Sequence, residues 1–149
     1  MKIFLGGTCN STWRKEFIEF LQYEKINYFD PVVEGDWTIE DEKEGTVQKN
    51  LCDILLWVIT PRMRGFYSPF EIADLANSHA NKLWVCFLKH DKDNNNVIHS
   101  WTVNQRRSII SIQNRLLEKK VKVFNDIYEV HQQVRIYKEN ILSKVLVEK

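Results

Sequence analysis

Only three cysteines occur in the 149 residues, Cys9, Cys52 and Cys86, far apart and odd in number. None belongs to a C-x-x-C pair and no histidine stands near one at ligand spacing. A disulfide framework and a zinc site are therefore not expected, and a reducing cytoplasm is. No apolar run approaches the roughly 18–20 residues of a membrane span. The N-terminal MKIFLGG is too short for the apolar region of a signal peptide and reads as a first strand. Net charge is +1, so no basic field speaks for polymeric nucleic acid or a membrane surface as partner. The patterns G-x-G-x-x-G and G-x-x-x-x-G-K-[ST] are missing, which leaves dinucleotide binding and P-loop chemistry without support. So is the nucleophile elbow G-x-S-x-G, and the four histidines (His79, His90, His99, His131) are scattered, each expected at the surface rather than in a triad. No metal and no cofactor are expected.

What is present is ordinary globular material: 44% hydrophobic and 28% charged residues, with five tryptophans and eight phenylalanines. The length suits one domain over residues 1–149 with a single sizeable core. Apolar runs alternate with helical periodicities. Lys2-Ile3-Phe4-Leu5 is a short strand stopped by Gly6-Gly7. Ser11 to Glu24 carries Trp13, Phe17, Phe20 and Leu21 at helical spacing, with Asn10 or Ser11 as cap. Tyr28-Phe29 leads into Asp30-Pro31-Val32-Val33 as a second strand, and Thr38 to Leu51 is a charged helix. Ile54–Ile59 is a fully buried strand, followed by a helix starting at Pro69. Leu83–Leu88 is the next strand and Asp91–Asn96 a polar loop. A helix from about Asn104 to Lys119, a strand Val121–Phe124 and a long helix Asp126–Val147 complete the chain. The final helix has an apolar stripe at Val130, Val134, Tyr137, Ile141 and Val145 that should pack on the sheet.

Five strands alternating with helices predict an α/β, flavodoxin-like (Rossmann-like) three-layer sandwich around a five-stranded parallel sheet, with ligands beyond the carboxyl ends of the strands. The loops at those ends hold the candidate site. Gly6-Gly7-Thr8-Cys9-Asn10 is either a tight turn or a place where backbone amides receive a ligand oxygen. Trp37 could stack on a planar base while Asp36 hydrogen-bonds its edge, or Trp37 packs over the sheet and Asp36 caps the next helix. That helix holds Glu40, Asp41, Glu42 and Glu44, of which an inward-facing member would be a candidate acid. In Thr60–Tyr67, Gly65 allows close backbone approach and Tyr67 supplies a hydroxyl. Ser68-Pro69-Phe70-Glu71 has the form of a capping box, so by spacing Glu71 reads first as a helix cap, with a carboxylate projecting into the crevice as the alternative.

Phe4-Leu5-Gly6-Gly7-Thr8 with Trp13, Tyr28-Phe29-Asp30-Pro31-Val32-Val33 with Asp36-Trp37, and Val58-Ile59-Thr60-Pro61 with Met63, Gly65, Tyr67-Ser68 and Glu71 together resemble the nucleoside 2-deoxyribosyltransferase-like family. The resemblance runs in order over about residues 2–88. It implies a flavodoxin-like fold and cleavage of the N-glycosidic bond of a (deoxy)nucleoside or nucleotide, the sugar passing to a second base or to water. It implies Glu71 as nucleophile, in the first turn of the helix after the third strand. It also implies a carboxylate about eight residues ahead of that strand, which falls on Glu44 with Glu42 behind it. The aromatic hydroxyl that meets the nucleophile in better-known relatives would stand at Phe4, which has none, with Tyr67 as the available substitute. A polar group six residues before the nucleophile would fall on Gly65. The substrate is then expected against Phe4, Gly6, Gly7, Thr8, Pro31, Asp36, Trp37, Thr60, Gly65 and Ser68.

The chemistry this implies is that of a retaining glycosidase: carboxylate attack at the anomeric carbon, a glycosyl ester, and an acceptor on the vacated face. The alternative is a catalytically silent nucleoside- or nucleotide-binding module on the same fold, since Phe4 and Gly65 lack the polar groups of the family. Arg62 and Arg64 beside the loop would favour a phosphate. Relatives complete the pocket with residues of a neighbouring subunit, so a homo-oligomer is expected.

Overall fold

Six consecutive apolar residues cannot face water on either side of a strand, and Ile54–Ile59 is buried throughout at the centre of a parallel sheet. The structure, a computed structural model, describes residues 1–147. In chain order the elements are β1 (Lys2–Gly7), α1 (Trp13–Tyr23), β2 (Asn27–Phe29), α2 (Ile39–Leu51), β3 (Ile54–Ile59) and α3 (Tyr67–Ser78). Then follow β4 (Leu83–Phe87), β5 (His90–Lys92), β6 (Ile98–Ser100), α4 (Val103–Glu118), β7 (Lys122–Phe124) and α5 (Ile127–Val147). The main sheet has the order β2-β1-β3-β4-β7, parallel in every pair, which is the flavodoxin-like arrangement. No helix among the described residues is long and apolar enough to cross a membrane.

Side chains alternate across the sheet and build two cores. Ile3, Leu5, Leu56 and Trp84 pack against Trp13, Phe17 and Leu21 of α1 and Val130 and Val134 of α5. On the other face Phe4, Leu55, Trp57 and Val85 meet Ile72, Leu75 and Ala76 of α3 and Leu116 of α4. The α5 stripe follows its expected course at Val130, Val134 and Tyr137, the last set edge-on to Trp84, but Val145 is exposed. Helix α2 covers the second face lightly. Gly45 is its one buried residue, and its carboxyl end is fastened by Lys82, whose Nζ donates to the carbonyls of Lys49 (2.8 Å) and Cys52 (3.1 Å).

Four local readings need correction. Helix α1 starts at Trp13 with Thr12 at its N-cap and no side-chain cap, rather than at Ser11. The side chains of Trp13 and Arg14 reach back to the Thr8 carbonyl and set the chain's entry instead. Strand β2 ends at Phe29, because Asp30 turns to Arg14, accepts the Val32 amide, and is followed by Pro31, which has no N–H for a ladder. The Asp91–Asn96 stretch is not a plain loop: β5 and β6 form an antiparallel hairpin, with Asp93 accepting the amides of Asn95 and Val97 in its turn. Finally, no capping box forms at Ser68 and Glu71. Helix α3 begins at Tyr67 with Phe66 at the N-cap and no side-chain cap. Pro69 is then the third helical residue, where an amide would have had no intrahelical partner, so it costs the helix nothing. The box that does form at α2 pairs Thr38 with Asp41, leaving Asp36 out of the cap.

Candidate active site

The strand order reverses direction between β1 and β3, and a cavity of about 640 Å³ opens beyond their carboxyl ends. Its wall is made by the β1–α1 turn, the loop after β2, one face of α2, and the loop that leads into α3.

The β1–α1 turn is shaped by close packing. A Cβ on Gly6 would lie 2.3 Å from Trp57 Cε2, and one on Gly7 would lie 2.1 Å from the Val58 carbonyl oxygen at a φ of +108°. Both glycines are thus required by the sheet, and both also line the cavity. Thr8 is buried at the wall, its Oγ1 accepting the Thr60 amide at 3.0 Å. Arg14, 6% exposed, holds the turn from beneath. Its Nη1 donates to the Thr8 carbonyl (2.8 Å), its Nη2 to that of Leu5 (3.1 Å), and its Nε lies 3.1 Å from Asp30 Oδ1 as an ion pair without an aligned hydrogen bond. Burial lowers the Arg14 pKa, and Asp30 works against that loss.

Glu71 and Lys49 meet at the wall between α3 and α2. Lys49 Nζ donates to Glu71 Oε1, and the two side chains are only 20% and 15% exposed. The ammonium also lies 5.6 Å from the centroid of Phe4 and 5.7 Å from that of Trp57, whose rings stack 5.2 Å apart. Phe4 thus brings an aromatic face where the resemblance implies a hydroxyl, and the hydrogen bond to Glu71 Oε1 comes from Lys49. Among the described residues Glu71 Oε2 receives no hydrogen bond.

At the mouth, Trp37 and Tyr67 stand edge to face, centroids 6.1 Å apart, and Tyr67 stacks on Phe70 at 6.3 Å. Trp37 is 52% and Tyr67 51% exposed, so both rings are open to a ligand. Burial raises the Tyr67 pKa, and the carboxylates of Glu71, Glu42 and Asp74 add to the rise. The phenol stays protonated and can donate. Pro31, Gly65 and Ser68 complete the rim.

Three expected residues lie elsewhere. Glu44 points away from the cavity and accepts from Gln48 Nε2 at 2.7 Å, while Gln48 Oε1 accepts from Lys2. The α2 face at the cavity carries Glu42, Gly45 and Lys49, spaced i, i+3, i+7. Asp36 is exposed and absent from the wall. Thr60 is fully buried, donating to Asp91 Oδ2 at 2.6 Å, and so ties the β5–β6 hairpin to the end of β3. Of the two loop arginines only Arg64 reaches the wall. Sequence reasoning missed Arg14 and Lys49. Arg14 stands i, i+3, i+7 with Phe17 and Leu21, a charge on the apolar stripe of α1. Lys49 follows from Glu42 and Gly45 by the same spacing.

The wall holds three cations (Arg14, Lys49, Arg64) and three carboxylates (Asp41, Glu42, Glu71), so neither sign prevails. Arg14 is committed to carbonyls and Lys49 to Glu71. The arrangement suits a largely uncharged ligand with a planar part for Trp37 and polar edges for the carboxylates.

No curated protein matches the chain. A family profile described as nucleoside 2-deoxyribosyltransferase like matches residues 1–90. Every residue lining the cavity falls inside that stretch, from Phe4 to Glu71. The chain belongs to the nucleoside 2-deoxyribosyltransferase-like family.

Proposed function

We propose that this protein cleaves the N-glycosidic bond of a nucleoside or nucleotide through a glycosyl ester on Glu71, and passes the sugar to another base or to water. One observation carries the reading: the Glu71 carboxylate is fixed at the cavity wall by one oxygen only, beside an open aromatic pair that can hold a base. In this account Glu71 Oε2 attacks the anomeric carbon through an oxocarbenium-like transition state. The base stacks against Trp37, and the protonated Tyr67 hydroxyl is the donor closest to hand for its departure. Glu42, on the face of α2 that Glu44 does not share, is the second carboxylate and binds the edge of the base or the acceptor. Arg64 offers a place for a 5′-phosphate without requiring one. A homo-oligomer would cover Phe66, Tyr67 and Phe70, which are exposed beside the mouth.

The test is a panel of ribo- and deoxyribonucleosides and their 5′-monophosphates, incubated with and without a free acceptor base and followed by chromatography. Base released or exchanged from at least one member supports the reading. Tight binding with no release from any of them would make the chain a binding module instead.

A further inference from the structure

Lys49 has no role in the reaction as drawn so far, yet it is the group most closely engaged with Glu71. Resting on the reading that Glu71 is the nucleophile, we propose that Lys49 is a positioning residue that divides the labour of the two carboxylate oxygens and serves chiefly the second half of the reaction, release of the sugar from the enzyme.

A carboxylate on a helix has a free terminal rotation and two equivalent oxygens. Lys49 Nζ engages Oε1 from the neighbouring helix, which fixes the rotation and leaves Oε2 as the oxygen presented to a substrate. The Lys49 stem is itself held. The stacked Phe4 and Trp57 rings lie beneath its ammonium, and Lys82 ties down the carbonyl of Lys49 and the end of α2. A charge-assisted hydrogen bond in so little water is strong and directional.

In the first step Oε2 forms the bond to the anomeric carbon, the carbon–nitrogen bond breaks, and the base leaves with that electron pair and takes a proton from a donor. Glu71 is now an ester, and Oε1 has become its carbonyl oxygen, still facing the ammonium. In the second step water or a base nitrogen attacks the anomeric carbon, losing a proton to solvent, and the carbon–Oε2 pair returns to Glu71. Negative charge reappears on the carboxylate in that step, and Lys49 is already placed to receive it, so the leaving group improves without any rearrangement. In the first step the same contact holds the ground-state carboxylate as firmly as it helps, so its net effect there is smaller.

Lys49→Met keeps an apolar stem over the two rings and removes the donor. Lys49→Arg restores a cation, and Lys49→Gln restores a neutral donor. Acid-quenched samples taken during turnover of an accepted nucleoside are weighed as intact protein, alongside steady-state kinetics and thermal unfolding of each variant. Lys49→Met is expected to lower kcat roughly 10²-fold, to lower kcat/KM less, and to accumulate a sugar adduct above the wild-type level, with Lys49→Gln and Lys49→Arg in between. Wild-type turnover matched by Lys49→Met, with no added adduct, overturns this inference and leaves the Glu71 reading standing. A fall in kcat/KM as large as that in kcat, with no adduct, also overturns it. A wild type that turns over no nucleoside defeats the reading and this inference with it.

Discussion

Gly6 sits directly over Trp57: a methyl group built on Gly6 would lie 2.3 Å from Cε2 and 2.6 Å from Cδ2 of the indole. Trp57 is fully buried and stacked on Phe4, so it has nowhere to retreat. Gly6→Ala is expected to destabilise the fold by roughly 1–3 kcal/mol through overpacking, read from the midpoint of urea unfolding at unchanged slope. A midpoint equal to wild type would show that the ring moves freely. Because Phe4 and Trp57 lie beneath Lys49, any shift of the indole should also reach the site.

Trp37 is the exposed tryptophan at the mouth, whereas Trp13, Trp57 and Trp84 are buried. Trp37→Ala is expected to weaken nucleoside binding by about 1–3 kcal/mol, the usual worth of a base stacked on an aromatic ring. The drop should appear in KM or in a titration by calorimetry, with the unfolding midpoint nearly unchanged. Unaltered affinity would remove Trp37 from the site.

His131 is half-buried against Phe20, ring centroids 3.9 Å apart and nearly parallel, and its Nε2 has no hydrogen-bond partner among the described residues. Burial, helped by the Arg135 charge, lowers its pKa while Asp126 opposes. The folded value thus lies below the unfolded one of about 6.5. The stability linked to this group is fully present above about 6.5 and is lost as pH falls through the lower folded value. His131→Phe keeps the stack and removes the unpaired nitrogen. Its unfolding midpoint should match or exceed that of wild type, and should change less between pH 7 and pH 5. An identical pH dependence in the two proteins would contradict the assignment.

The sheet could be read from the sequence because parallel strands are buried on both faces and show as unbroken apolar runs, as in Ile54–Ile59 and Leu83–Phe87. The β5–β6 hairpin could not, since its three-residue strands depend on Asp93 in the turn and on the Asp91–Thr60 bond, neither of which leaves a periodic trace. Glu71 looked like a cap by spacing alone. The cap is unused because its carboxylate finds Lys49, 22 positions earlier in the chain, and a contact of that range has no local signature. The count back from the strand that the family resemblance implies falls on Glu44, whereas the orientation of α2 is set by helical period, and period brings Glu42, Gly45 and Lys49 to the cavity.

Glu71 is expected to form a covalent bond to the sugar. Glu71→Gln is a clean probe, because α3 has no side-chain cap to lose and the glutamine carbonyl can still accept from Lys49. The most direct measurement digests protein that was acid-quenched during turnover and locates the sugar by peptide mass spectrometry. The prediction is an adduct on the peptide bearing Glu71 in wild type, its absence in Glu71→Gln, and a fall in turnover on the order of 10³-fold or more in the variant. A sugar found on another residue, or a Glu71→Gln variant that turns over at the wild-type rate, would contradict the account.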